Sequence, residues 1–178
     1  MLTPMPEQDF DQFYTILTDS FPPDELRSRD EHEALLARPD YTVYAHYDRG
    51  ELIAFLTVWE TESLAFIEHF AVGKCHRNRG LGAKLLEQLK KQLGKPLCLE
   101  AELPNAPLAE RRLAFYERNG FWINQFPYMQ PALEPGKQPV PLYLLTTDKP
   151  LDAESFLAIK QYLYNVVYAG KEILTSER

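Results

Sequence analysis

Between Tyr41 and Val72 three β-rich runs, TVYAHY, ELIAFLTVWE and LAFIEHFAV, follow one another with no helix-forming segment between them. Parallel neighbours need a crossover of a dozen or more residues, usually a helix, so these strands have to pair antiparallel. Asp48, Arg49 and Gly50 supply turn chemistry between the first two, which predicts a hairpin. The third run, Leu64 to Val72, is apolar throughout except at Glu68 and His69. Strict alternation puts Phe66 and Phe70 on one side and Ala65, Ile67 and Ala71 on the other, so the strand belongs in the centre of a covered sheet. A purely parallel, doubly wound sheet is excluded.

On either side of this block the hydrophobic period is helical. Phe10, Phe13, Leu17 and Phe21 form one stripe, stopped by Pro22 and Pro23, and a second, mostly polar helix is predicted from Asp24 to Ala37. From Gly80, Leu81, Leu85, Leu86, Leu89 and Leu93 form another stripe that ends at Gly94. Strand PLCLEAEL, Pro96 to Leu103, precedes helix LAERRLAFYERNG, closed by Gly120. Two further strands, FWINQFPYM and VPLYLLTT, flank a proline-rich loop, and MLTPMP reads as a short first strand. A last helix opens on Asp152 as its cap and ends before Gly170, burying Phe156, Ile159, Leu163 and Val166 or Val167. The expected fold class is α/β (α+β): a mixed, mostly antiparallel sheet of about seven strands flanked by helices, with an extra C-terminal helix.

A chain of 178 residues with 45% hydrophobic residues can bury about 70% of its unfolded surface without disulfides or metals. Cys75 and Cys98 are too few for a disulfide scaffold, and His32, His46, His69 and His76 have no zinc-ligand spacing, so reduced thiols and no metal are expected. The net charge of −7 repels nucleic acid and anionic membranes, and neither an apolar span nor a leader pattern is visible. A cytoplasmic location is the expectation. Any polyanionic ligand has to be held locally.

Such a place is the segment FAVGKCHRNRGLGAKLL. A buried strand ends at Val72, seven residues intervene, and a helix opens at Gly80 and Gly82. Amides at a helix N-terminus lack intrahelical partners and lie at the positive end of the helix dipole, so they bind phosphate oxygens even in an acidic chain. Arg77 and Arg79 add forked donors suited to a diphosphate. A Walker loop is excluded, because Gly82 is followed by Ala83, Lys84 and Leu85. A dinucleotide fingerprint with Glu100 as its acidic partner fits less well: Leu85 stands where the third glycine should be, and the glycines come too late after the strand.

With Arg77, Gly80 and Gly82 in this spacing, the loop resembles the acetyl-CoA motif, Q/R-x-x-G-x-G/A, of the GNAT superfamily of N-acetyltransferases. LEAELPN, Leu99 to Asn105, and LAFYERNGF, Leu113 to Phe121, are similar to that superfamily's fifth strand and fourth helix, and the resemblance covers residues 1–147, leaving 148–178 as an extension. Lys74 occupies a position often filled by proline in the family, with Cys75 after it. The uncharacterised bacterial members are nearest.

The resemblance implies transfer of acetyl from acetyl-CoA to a primary amine by direct attack in a ternary complex. Tyr116 then occupies the position of the acid that protonates departing CoA, and Phe70, Ala71 and Val72 offer main-chain groups to the pantetheine and the oxyanion. Arg77, Asn78, Arg79, Gly80, Leu81, Gly82 and Ala83, with Asn105, are the expected remaining cofactor contacts. The general base is Glu68 or Glu100, directly or through a water: Glu68 because desolvation in an apolar strand suits a proton acceptor, Glu100 because some look-alikes use that position. His69 is expected to face away from Glu68. The acidic run Asp24, Glu25, Asp30, Glu31 and Glu33 would attract a cation but reads first as a solvated helix face. Acceptor classes open at this point are a polyamine, an aminoglycoside, an amino acid and a protein amine, with the chain a monomer or homodimer. The rival readings are a non-catalytic acyl-CoA sensor and a nicotinamide-binding enzyme.

Overall fold

In the computed structural model, which describes residues 1–169, the chain forms two compact units. The first comprises Met1–Pro22 and Ser28–Cys98; of the described residues, the second comprises Pro23–Arg27 and 99–169.

The first unit is built on antiparallel strands β1 (Thr3–Pro4), β2 (Tyr41–Asp48), β3 (Glu51–Glu60) and β4 (Ala65–Val72), in that order. The hairpin turn is two residues long, Arg49 and Gly50, both at positive φ, which is the backbone twist a tight hairpin requires. Helix α1 (Phe10–Ser20) buries Phe13 and Leu17 and sets the Phe13 ring 4.7 Å from Phe55 on β3. Helix α2 spans only Arg29–Leu35, shorter than the expected Asp24–Ala37. Ser28 decides its start: its Oγ accepts from the Glu31 amide while the Glu31 carboxylate accepts from the Ser28 amide, a reciprocal cap. Pro23–Glu25 forms a separate 3₁₀ turn that belongs to the second unit. Helix α3 (Leu81–Leu93) packs along β4, buries Leu85, Leu86 and Leu89, and ends at Gly94 with φ of 63°.

In β4 a bulge overturns the expected faces. Thr57 of β3 pairs with His69 and Val58 with Ile67, so Glu68 is the extra residue. An extra residue moves everything beyond it to the other face. Phe66, His69 and Ala71 therefore register with Trp59, Thr57 and Phe55, whereas Ile67, Phe70 and Val72 register with Val58, Leu56 and Ala54. Relative to Phe66 and Ile67, Phe70 and Ala71 both lie opposite to the expectation.

The second unit carries β8 (Val140–Thr146) between β5 (Leu97–Glu102, whose first two residues belong to the first unit) and β6 (Trp122–Asn124). Strand β7 (Met129–Gln130) also pairs antiparallel with β8. The single strand expected over 121–129 is therefore two. Buried Asn124 is the reason: its Nδ2 donates to Leu144 O and Thr146 Oγ1, its Oδ1 accepts from the Leu151 amide, and the chain then leaves the pairing before Pro127, which has no amide to give. Helix α4 spans Pro107–Arg118. Helix α5 (Ala153–Tyr162) is capped by Asp152, whose carboxylate accepts from the Ser155 amide, and runs on as one π turn, Leu163–Val167. Phe156, Leu163 and Val167 are buried as expected, while Ile159 and Val166 are half-buried. The part of the expected 148–178 extension from Gly170 onward lies outside the described residues.

Candidate active site

On the first unit, the strand-to-helix segment is shaped by hydrogen bonds to its own neighbours. The Gly73 amide donates to Ile53 O over 2.8 Å, and Lys74–His76 turns back on itself. Arg77 Nε donates to Val72 O over 2.8 Å and Nη2 to Ser20 Oγ over 3.2 Å, so this guanidinium ties the end of β4 to the end of α1. Asn78 and Gly80 take positive φ, 61° and 74°, which turns the chain into α3. A Cβ at Gly80 would meet nothing within 4 Å, so the backbone ahead of the helix is open. Arg79 is exposed; Leu81, Gly82 and Ala83, in the first turn of α3, are half-buried.

Glu68, the bulged residue, accepts from buried Trp59 through Nε1–H···Oε2 at 2.8 Å. His69 does not face away from it. The His69 amide donates to Thr57 Oγ1 over 2.9 Å, and Thr57 and Trp59 share one face of β3. The His69 ring lies 4.8 Å from Phe21 and 5.7 Å from buried His32, within the aromatic layer under α1 and α2.

On the second unit, Glu100 of β5 is half-buried and clamped by phenols. Tyr128 donates to its Oε1 and Tyr168 to its Oε2, the latter over 2.6 Å. Glu102, on the same strand face, pairs with Arg112 of α4. Beside them lies Glu25, which the sequence reading left on a solvated helix. Burial, then the charge of Glu102, pushes its carboxyl up to about 7 against the pull of Arg112, so it changes charge near neutrality. The Ser28-x-x-Glu31 capping pattern was the sequence signal that α2 starts after residue 25. Asn105, exposed beyond β5, donates its amide to Leu103 O over 2.7 Å.

Tyr116 sits two residues before the end of α4. Its carbonyl accepts from the Phe121 amide over 3.1 Å while the Gly120 amide donates to Glu117 O over 3.0 Å, a Schellman closure with Gly120 at φ of 83°. The Tyr116 ring packs edge-on against Phe121 at 5.6 Å and Phe115 at 5.3 Å. Burial pushes its phenol up to about 12, so it stays protonated at neutral pH. Among the described residues no group of three or more His, Cys, Asp or Glu could hold a metal, and no helix is long and apolar enough to cross a membrane.

Residues 10–121 match the acetyltransferase (GNAT) family. The chain belongs to that family. This GNAT chain has the family's mixed, mostly antiparallel open sheet of seven to eight strands, with five α-helices among the described residues. It is 33% identical over 111 residues to YjbC of Bacillus subtilis (strain 168), a protein named as an acetyltransferase, covering 61% of this chain. The match spans just over half, 56%, of that relative. A solved GNAT-family structure from Bacteroides thetaiotaomicron, also named as an acetyltransferase, superposes with a TM-score of 0.87 at 32% identity, covering 96% of this chain and 99% of that one. An aminoglycoside 6'-N-acetyltransferase solved with coenzyme A shares the fold, with a TM-score of 0.64 at 17% identity over 85% of this GNAT chain and 99% of its own.

Proposed function

We propose that this acetyltransferase moves the acetyl group of acetyl-CoA to a primary amine by direct attack in a ternary complex. The observation that carries the reading is the loop ahead of α3, where Gly80 at φ of 74° leaves open backbone before a thirteen-residue helix. That geometry fits a diphosphate, which the unpartnered amides and the helix dipole stabilise. Gly80, Leu81, Gly82 and Ala83 offer the amides, and Asn78 and Arg79 add polar donors. Arg77, tied to Val72 O and Ser20, supplies its charge from a fixed place. Phe70, Ala71 and Val72 line up the pantetheine by main-chain contacts, and Asn105 completes the set.

The amine lone pair attacks the thioester carbon, the C–S bond breaks from the tetrahedral intermediate, and the thiolate takes a proton from Tyr116. Glu68 or Glu100 removes the ammonium proton, directly or through a water. In this reading residues 1–147 form the acetyltransferase domain and 148–178 an extension, in a cytoplasmic monomer or homodimer. The acceptor is a small-molecule or peptide amine.

The alternative, a non-catalytic acyl-CoA sensor, is favoured by the phenol of Tyr116 lying at about 12, far from the working pH that suits a general acid. Thiol release from acetyl-CoA with spermidine, kanamycin and a peptide beginning with alanine separates the two. Turnover on at least one amine is expected, with Tyr116→Phe lowering kcat roughly 10²-fold or more and leaving CoA affinity intact. Tight CoA binding without turnover on any amine favours the sensor.

A further inference from the structure

We propose that the π turn closing α5 belongs to the catalytic apparatus, with Tyr168 and Tyr128 acting as positioning residues that hold Glu100 as the proton acceptor for the amine. The proposal rests on the acetyl-transfer reading above and selects Glu100 from its two candidate bases.

Glu100 projects from β5 between Leu99 and Ala101, both buried, and is itself half-buried. A desolvated carboxylate is costly unless donors meet it. Here each oxygen accepts from a phenol: Oε1 from Tyr128, 4% exposed, and Oε2 from Tyr168, 1% exposed. The second donor arrives from 68 residues along the chain. Its placement depends on the widened turn, in which the Tyr168 amide donates to Leu163 O, five residues back, over 2.8 Å. Arg27 braces the turn from behind: its Nη2 donates to Val167 O over 2.7 Å and its guanidinium lies 5.6 Å over the Tyr168 ring. Tyr164, on the same turn, donates to Met129 O over 2.6 Å, next to Tyr128.

The titratable and charged groups around Glu100 include Tyr128, Tyr164 and Tyr168, with Arg27 behind Tyr168; Glu102, on the same strand face, is paired with Arg112 beside Glu25. Burial and the Glu100 charge hold the Tyr128 phenol well above its ordinary range, so it remains a donor. Two neutral donors favour the ionised carboxylate and fix the direction of its remaining lone pairs. The ammonium proton passes to a Glu100 oxygen, the freed nitrogen pair forms the N–C bond, and the protonated Glu100 later returns its proton to water.

The test is a ¹³C-carboxyl NMR titration of the full chain, with Glu100→Gln assigning the resonance, in wild type, Tyr168→Phe and Tyr128→Phe. Each lost hydroxyl is expected to raise the Glu100 midpoint by about 0.5–1 pH unit. The acid limb of kcat/KM, read with acetyl-CoA and whichever of spermidine, kanamycin or the alanine peptide is turned over, is expected to move with it. A merely structural role would still let the midpoint move, because each phenol bonds the carboxylate whatever its function, but would leave the acid limb where it was. A working enzyme whose acid limb ignores both Phe variants overturns the positioning role alone. Full activity in Glu100→Gln overturns the choice of base, and absence of turnover on every amine overturns the acetyl-transfer reading together with it.

Discussion

Phe121 donates its amide to the carbonyl of Tyr116 and lays its ring 5.6 Å from the tyrosine's, so the residue proposed as acid is held by the closure of its own helix. The Asn119-Gly120-Phe121 sequence is thus a positioning device. Gly120 turns the chain at φ of 83°, and Phe121 supplies both the hydrogen bond and the apolar contact that complete the cap.

Gly120→Ala isolates the conformational cost of that closure. A Cβ there meets nothing within 4 Å, so only the positive φ opposes it. The variant is expected to lose about 1 kcal/mol, read as a lower urea midpoint at unchanged slope. A larger loss would mean that the site is crowded.

Arg77 bonds Val72 O and Ser20 Oγ through two different nitrogens of one planar group. A lysine cannot reproduce that fork. Arg77→Ala and Arg77→Lys are both expected to weaken CoA about tenfold by calorimetric titration, although lysine keeps the charge. Full rescue by lysine would show that charge alone matters.

Trp59 is 1% exposed and donates to Glu68 across the bulge. Trp59→Phe removes the donor and some ring volume, and is expected to cost about 2–3 kcal/mol of unfolding free energy. Glu68→Gln keeps an acceptor for the indole N–H and is expected to cost under about 1 kcal/mol. If it also leaves kcat unchanged, Glu68 is not the base.

Glu25 gives the fold a pH signature. Its carboxyl titrates at about 7 in the folded chain against 4.5 ordinarily, so between those values the folded state holds a proton that the unfolded state has released. Its contribution is full below about pH 4.5 and is lost as pH rises through about 7, at most about 3 kcal/mol. Glu25→Gln is expected to flatten the fall in melting temperature from pH 5 to pH 8 relative to wild type. Parallel curves would refute the raised value.

What the sequence by itself determined is what local chemistry controls. The proline pair after α1, the Arg49-Gly50 turn, the glycines bounding α3, Gly120 and the Asp152 cap each act through the few bonds nearest them, so the elements and the phosphate-type loop were legible without coordinates. The tertiary structure decided what depends on distant pairing. One extra residue at Glu68 reverses the faces of β4 beyond it, because register is set by β3 and not by the strand's own alternation. Glu25 became a neutral-pH carboxyl because the fold buries it and sets Glu102, far along the chain, beside it, against the pull of Arg112. Tyr168 reached Glu100 only through a turn wider than the helical period predicts, since the bond between them depends on where 68 intervening residues bring the backbone.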